Sequence, residues 1–313
     1  LYTSAGSGTG NLQACSLHVL SGVIVTVKSG DSFTIQNEIK VDGAPLPAAL
    51  IIEDTSNLFQ INPAIANSDF IYYRRTSTPV KKYDYTYWSS PVSNQLLSVF
   101  SPNSIYFYRW NTTTYGWSYV APSNTMDVAK GYIIRTPDIA PYNTITTNTW
   151  TGEFFGIPNN GTITTPVVLS GINEMNLLGN PYPSALDVHK FIDDNVGVIN
   201  GTLQLWQQWS GDSHYLNEYN GGYAQVNKTG SIRACQFVGF YGYNGSEEGT
   251  KTPSRYLPIG QGFITEIIAD GTIEFNNSQR IFIKEVDAAI DVFINENVDV
   301  PPPPKTPSTQ ENS

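Results

Sequence analysis

The 313-residue chain is poor in the side chains on which catalysis and metal binding usually rest. It has three histidines, His18, His189 and His214, far apart and without partners at ligand spacing, which argues against a zinc-type centre. Two cysteines, Cys15 and Cys235, are too few for a disulfide scaffold. They read either as one long-range bridge or as two buried thiols. Charged residues make up 14%, against about 25% in ordinary soluble proteins. Lys and Arg number 17 against 27 Asp and Glu, for a net charge of −10, and no basic stripe exists beyond pairs such as Arg74-Arg75 and Lys81-Lys82. An acidic surface repels phosphate, so neither nucleic acid nor an anionic membrane is expected as a partner. No apolar run approaches the roughly 18 residues of a membrane helix, so direct membrane insertion is not expected either. Nucleophile elbows, phosphate loops and paired-cysteine zinc motifs are missing. The stretch "GSGTG" at 6–10 lacks a preceding strand, a following helix and a lysine, and reads as a flexible start.

What replaces charge is Asn, Thr, Ser, Gly and Tyr, with aromatics at 12% and apolar residues at 40%. That balance fits a secreted β-protein and is incompatible with disorder. Leu1 opens directly onto "YTSAGSGTGN", as in a mature or excised fragment. From Cys15 short alternating runs follow one another: "SLHV", "VIVTV", "SFTIQ", "EIKV", "ALIIED", "NLFQI", "FIYYRR". Their two-residue period is that of half-buried strands. Strands this short, with breaks as brief as "SG" and "DG", predict the stacked rungs of a β-solenoid, with a meander as the alternative.

An aromatic series then appears, and appears again. "YTYWSSPVS" is paralleled by "MNLLGNPYPS", "IYFYRWNT" by "LQLWQQWS", and "AKGYIIRT" by "GQGFITEI". From Pro91 to Gly131 is 40 residues and from Pro181 to Gly262 is 81, so the second copy carries 41 more. Fixed order with one insertion predicts two related antiparallel, sandwich-like β modules. The expected fold is therefore all-β with one short helix, over 183–195. The expected division is a solenoid-like segment 1–78, module copies 79–170 and 171–298, an insertion at 211–255, and a Pro-rich linker or tail 299–313. Turns are expected at Asn160-Gly161 and, as a hairpin, at Asp270-Gly271.

Carboxylate pairs occur at Asp193-Asp194 and Glu247-Glu248. Adjacent side chains diverge, whereas glycoside hydrolysis needs two carboxyl groups facing each other across a cleft, so no enzymatic activity is expected. The segment "GDSHYLNEYNGG" holds oxygens that would suit calcium (Ca2+), without the twelve-residue loop pattern. No other cofactor is expected. The remaining lead is aromatic. A sugar ring has an apolar face and a hydroxyl rim, and flat side chains beside Asn, Asp or Gln match both. Trp206, Trp209 and Tyr215 are the candidate stacking residues. Core packing is the competing use, since one large aromatic buries roughly 150–250 Å². Trp88, Pro91, Pro181 and Tyr182 read as structural corners.

Seven stretches in fixed order, "SGVIVTVKSGDSFTIQNEIKV", "TSNLFQI", "TPVKKYDYTYWSSPV", "KGYIIRTP", "NLLGNPYPSALDV", "LPIGQGFI" and "GTIEFNNSQR", resemble a region of large secreted surface proteins of Bacteroidetes. Those carry a C-terminal sorting domain of the type IX secretion system. The resemblance spans residues 15–283. It implies export by the type IX machinery, an extracellular or outer-surface location, and an adhesin-like or gliding-associated role. A surface polysaccharide or protein would then be the ligand. It brings no catalytic residues. Here the "FNNSQR" stretch runs on into a Pro-rich tail rather than a recognisable sorting domain. Two functions follow as expectations: a non-catalytic stalk or adhesion module, and, alternatively, a carbohydrate-binding module of a polysaccharide-degrading protein.

Overall fold

Short parallel strands, three to a turn, open the molecule. Asn11–Ala14, Ser32–Ile35 and Asn57–Gln60 stack in register as one sheet. Leu17–Val19 pairs with Ile39–Val41 in a second, and Ile24–Val27, Ala49–Ile52 and Ile71–Thr76 build a third. Paired residues stand 21 to 25 positions apart, which is one turn of a β-solenoid. A meander would have paired consecutive strands antiparallel. Phe33, Ile35, Ile39, Val41, Ile71 and Tyr73 point inward and are buried, as their alternation requires. The computed structural model describes residues 10–43, 49–169, 171, 174–210, 220–234, 249 and 251–283. The tail 299–313, most of the insertion, and Cys235 lie outside these; Cys15 is exposed.

The solenoid is closed by a strand from further along the chain. Thr151–Pro158 runs antiparallel beside Ile71–Thr76, and Val92–Ser93 adds beyond it. The two regions consequently share one core. Val27, Ile52 and Tyr73 of the rungs belong to the same buried cluster as Trp88, Phe100, Phe107 and Phe154. Trp88, Phe100, Trp150 and Phe154 meet mostly edge to face, with centroids 4.1–6.3 Å apart.

The two aromatic series fold alike. In the first, Tyr85–Trp88 pairs with Tyr132–Arg135, which pairs with Phe107–Asn111, which pairs with Gly116–Tyr119, all antiparallel. In the second, Met175–Gly179, Gly262–Ile267, Ile199–Ser210 and Asn220–Asn227 pair in the same order and sense. Register makes Trp88 equivalent to Leu178, Tyr132 to Phe263, and Trp110 to Trp206. Each corner strand leads through its proline to a short strand and a short helix, α1 (Leu97–Phe100) in the first copy and α2 (Val188–Asp194) in the second.

The corners themselves are one device built from two residue types. Ser90 Oγ accepts from Val92 N at 3.3 Å, and Asn180 Oδ1 accepts from Tyr182 N at 3.0 Å. Both are side-chain mimics of a backbone turn. Pro91, Pro181, Trp88 and Tyr182 are buried, and the Tyr182 hydroxyl donates to Gly161 O at 2.6 Å.

Two local expectations change. Helix α2 begins at Val188, because Ala185–Asp187 is spent as a strand between Tyr256–Leu257 and Arg280–Ile281. Asp187 caps it, accepting from His189 N at 3.1 Å. Asp270-Gly271 joins Gly262–Ile267 to Gly271–Phe275, but these strands belong to different sheets, the second pairing with Ile163–Val167. The turn at Asn160-Gly161 likewise passes the chain from one sheet to another. Buried Arg280 ties the layers together. It donates to Leu58 O, Gln60 O, Ser184 Oγ and Asn160 Oδ1, and lies between the rings of Phe59 and Tyr182. Burial pushes its pKa down to about 10, with Tyr182 opposing.

Candidate functional site

The copies meet across a local two-fold. Trp88 bridges to Gln261, and its equivalent Leu178 bridges to Lys130, the equivalent of Gln261. Ser89 N donates to Gly260 O at 2.8 Å, and Gly179 N to Ala129 O at 3.1 Å. The same contact is thus made twice with the copies exchanged, as two-fold packing requires. The approach leaves no room for a side chain at Gly179, where a Cβ would lie 2.2 Å from Ser89 Cβ. Ala129 and Gly260, at the same place in each copy, both hold positive φ, 66° and 74°.

Facing residues of the two sheets form their own cluster, with Tyr87, Ile133, Leu177 and Ile264 at its centre. Trp206 packs there, nearly parallel to Tyr87 at 6.1 Å, with Tyr223 at 5.1 Å. Tyr87 and Tyr223 share a hydroxyl hydrogen bond of 2.6 Å. A Cβ on Gly221 would come 2.4 Å from the Trp206 ring, so the glycine lets the indole lie flat on its strand. Burial pushes the Tyr223 hydroxyl up to about 12, the Tyr87 hydrogen bond opposing. Burial, then Tyr108, does the same for Tyr85, to about 12. Both phenols are neutral at ordinary pH.

Beside this cluster a cleft of about 290 Å³ opens between the first copy's corner strand and the second copy's Trp strand. Tyr85, Tyr87 and Trp206 supply its aromatic wall, and Asp84, Gln207, Gln208, Lys251 and Gln261 its polar side. Gln208 Nε2 donates to Asp84 Oδ1 at 2.7 Å. Gln207 Oε1 accepts from Lys251 N at 3.2 Å. Gln261 Nε2 donates to Gly262 O at 2.7 Å, while its Oε1, like that of Gln208, is buried without a partner among the described residues.

A second aromatic surface lies on the first copy's hairpin. Tyr106, Tyr115, Trp117 and Tyr119 are exposed there. Trp117 stands opposite half-buried Trp110 and Tyr119 opposite Tyr108, so one face of the hairpin is almost wholly aromatic. Arg135 stacks on Tyr106 at 4.2 Å.

Of the sequence candidates, Trp206 is half-buried and lines the cleft. Trp209 lies in the same strand; Tyr215 and the first nine residues, 211–219, of the stretch 211–222 proposed for calcium fall outside the described residues. Among the described residues no group of three or more His, Cys, Asp and Glu side chains could hold a metal ion. His18 pairs with Asp42 at 2.9 Å, and Asp193 pairs with Lys228 while Asp194 accepts from Gln279. Asp84, Gln208 and Gln261 are the cleft residues that pattern reading passed over. Each sits in a quoted motif, "YDYTYW", "LQLWQQWS" and "GQGFITEI", but only folding brings the three motifs together.

Residues 3–291 match a family described as a domain of unknown function, DUF8693. The chain belongs to that family. No curated protein and no solved structure matches it. No helix among its described residues is long and apolar enough to cross a membrane.

Proposed function

We propose that this chain is a non-catalytic adhesion module of an exported, adhesin-like protein, displayed outside the cell and delivered by the type IX secretion machinery. The observation that carries the reading is the hairpin face of Tyr106, Trp117 and Tyr119, with Tyr115 at its turn. Four large aromatics are exposed on one small element of a chain with 14% charged residues. Exposed aromatic surface of this kind marks an interaction site, and aromatic anchors dominate binding energy at interfaces. The rigid double module and the solenoid sharing its core suit a part that transmits attachment rather than one that moves through a catalytic cycle. The sequence resemblance supplies the export route.

Two measurements test this. Fractionation of the native cells is expected to place the full-length product at the outer surface, and recovery mainly from the cytoplasm would refute export. Purified protein coupled to beads is expected to attach to the cell's natural surfaces, and the double variant Trp117→Ala/Tyr119→Ala is expected to abolish attachment. Full attachment by that variant would remove the hairpin from the reading.

A second reading, a carbohydrate-binding module of a polysaccharide-degrading protein, is favoured by the cleft between the copies, where aromatic rings stand beside uncharged amides.

A further inference from the structure

We propose that the inter-copy cleft binds a neutral sugar unit of a polysaccharide, held against the Trp206 and Tyr85 side of the cleft by the amides of Gln208 and Gln261. The inference rests on the reading of this chain as a binding module and names what it binds.

Three features of the cleft's lining converge on that ligand. Its wall is aromatic, and a pyranose presents an axial C–H face that packs on aromatic rings. Its polar side is dominated by amides and hydroxyls. The one carboxylate, Asp84, and the one ammonium, Lys251, are both buried and both line the cleft, so their charges balance and favour neither anion nor cation. A sugar hydroxyl donates and accepts at once, which matches an amide carrying both functions.

Gln261 is 2% exposed and lines the cleft, yet its Oε1 has no partner among the described residues. A buried acceptor left unmatched is costly and rare in a settled core. A ligand hydroxyl would satisfy it, and would satisfy Gln208 Oε1 in the same way. Both acceptors belong to the second copy, whereas Asp84, Tyr85 and Tyr87 of the same cleft come from the first, so the site exists only in the assembled pair.

The copies have also diverged at this place. Where the first copy presents Asp84, Tyr85 and Tyr87, register puts Glu174, Met175 and Leu177 in the second. Packing alone is served by Met and Leu on the equivalent strand. The aromatic hydroxyl-bearing set stands only on the side that faces the cleft. With a volume of about 290 Å³, the space is at the lower end for small-ligand sites, roughly 300–1,000 Å³. That suits one or two sugar rings of a longer chain entering from the open side.

The test is calorimetric titration of the whole chain with xylohexaose, cellohexaose, laminarihexaose and mannohexaose, with tetragalacturonate as the charged control. Intrinsic tryptophan fluorescence is followed in parallel. At least one neutral oligosaccharide is expected to bind saturably and perturb the tryptophan emission. Gln208→Ala and Gln261→Met are each expected to weaken binding at least tenfold. Thr147→Trp, at an exposed position on the cleft rim, leaves the core untouched and is expected to block binding, so the result survives even if the buried variants fold poorly. No saturable binding by any neutral probe at millimolar concentration would overturn the proposal, as would preference for tetragalacturonate or parental affinity in Thr147→Trp. If these sugars fail while beads still attach through Trp117 and Tyr119, the cleft proposal falls and the adhesion reading stands. If sugars bind as expected but the native product is cytoplasmic, the cleft stands and the export reading falls.

Discussion

Asp187 shows how much a single side chain is asked to do. It ends a strand, caps helix α2 through His189 N, and makes a two-pronged ion pair with Arg255 at 2.7 and 2.8 Å. Burial alone would push its carboxyl up. The Arg255 guanidinium and the backbone N–H groups of His189 and Lys190 outweigh this and hold it below its ordinary value. Its folded pKa therefore lies under the unfolded value of about 3.9. The resulting stabilisation is complete above that value and is lost as pH falls through the folded pKa. Urea titrations should show Asp187→Ala less stable by about 1–2 kcal/mol near neutral pH, chiefly through the lost cap. The exposed partner Arg255 adds little to that. The gap between parent and Asp187→Asn should hold steady from neutral pH downward and close only below about pH 4. A gap that closes already near pH 6 would assign the effect to another group.

At the scale of the element, the crossing of the two copies makes a sharper claim than any strand does alone. Ala129 and Gly260 sit at equivalent points of the crossing with the same left-handed backbone. That conformation costs an L-residue about 1–2 kcal/mol and a glycine almost nothing. Ala129→Gly is therefore expected to raise stability by about 0.5–1 kcal/mol, after the glycine's extra unfolded-state entropy is set against the relieved strain. Gly260→Ala should lower it by about 1 kcal/mol from backbone strain, since a Cβ there meets only ordinary contacts at 3.5 Å and beyond. Opposite signs in thermal or chemical denaturation check both. Equal signs would mean that the two positions are not equivalent. The repeat itself was legible in the sequence, because corner, Trp strand and Gly-aromatic strand recur in order. The helix boundary and the Asp270-Gly271 hairpin were not. Their residues carry ordinary helix and turn preferences, and pairing with distant strands overrode them.

For the whole molecule, the shared core decides how the regions depend on one another. The rungs bury Val27, Ile52 and Tyr73 in the same cluster as Phe107, Trp150 and Phe154, and Thr151–Pro158 completes the solenoid sheet from outside it. A chain beginning at residue 79 would expose that aromatic surface and leave Thr151–Pro158 as a bare edge, an aggregation hazard. Such a chain is expected to lose cooperative unfolding and near-ultraviolet circular dichroism, whereas the full chain should unfold with the solenoid and first copy together. A sharp, independent transition in the truncated chain would show that the core divides at residue 78.

The sequence by itself determined the β character, the short parallel-compatible strands, the two-copy order and the buried corners at Pro91 and Pro181. Each of these is local, written in a two-residue period or in a turn residue that the backbone needs wherever it folds. Tertiary structure alone decided which copy faces which, that the solenoid and first copy share a core, and that Asp84, Gln208 and Gln261 line one cleft. Those residues are separated by tens to more than a hundred positions. Strand pairing within the second copy brings Gln208 near Gln261, the two-fold crossing brings Asp84 of the first copy to both, and a contact made by packing leaves no period in the chain to read.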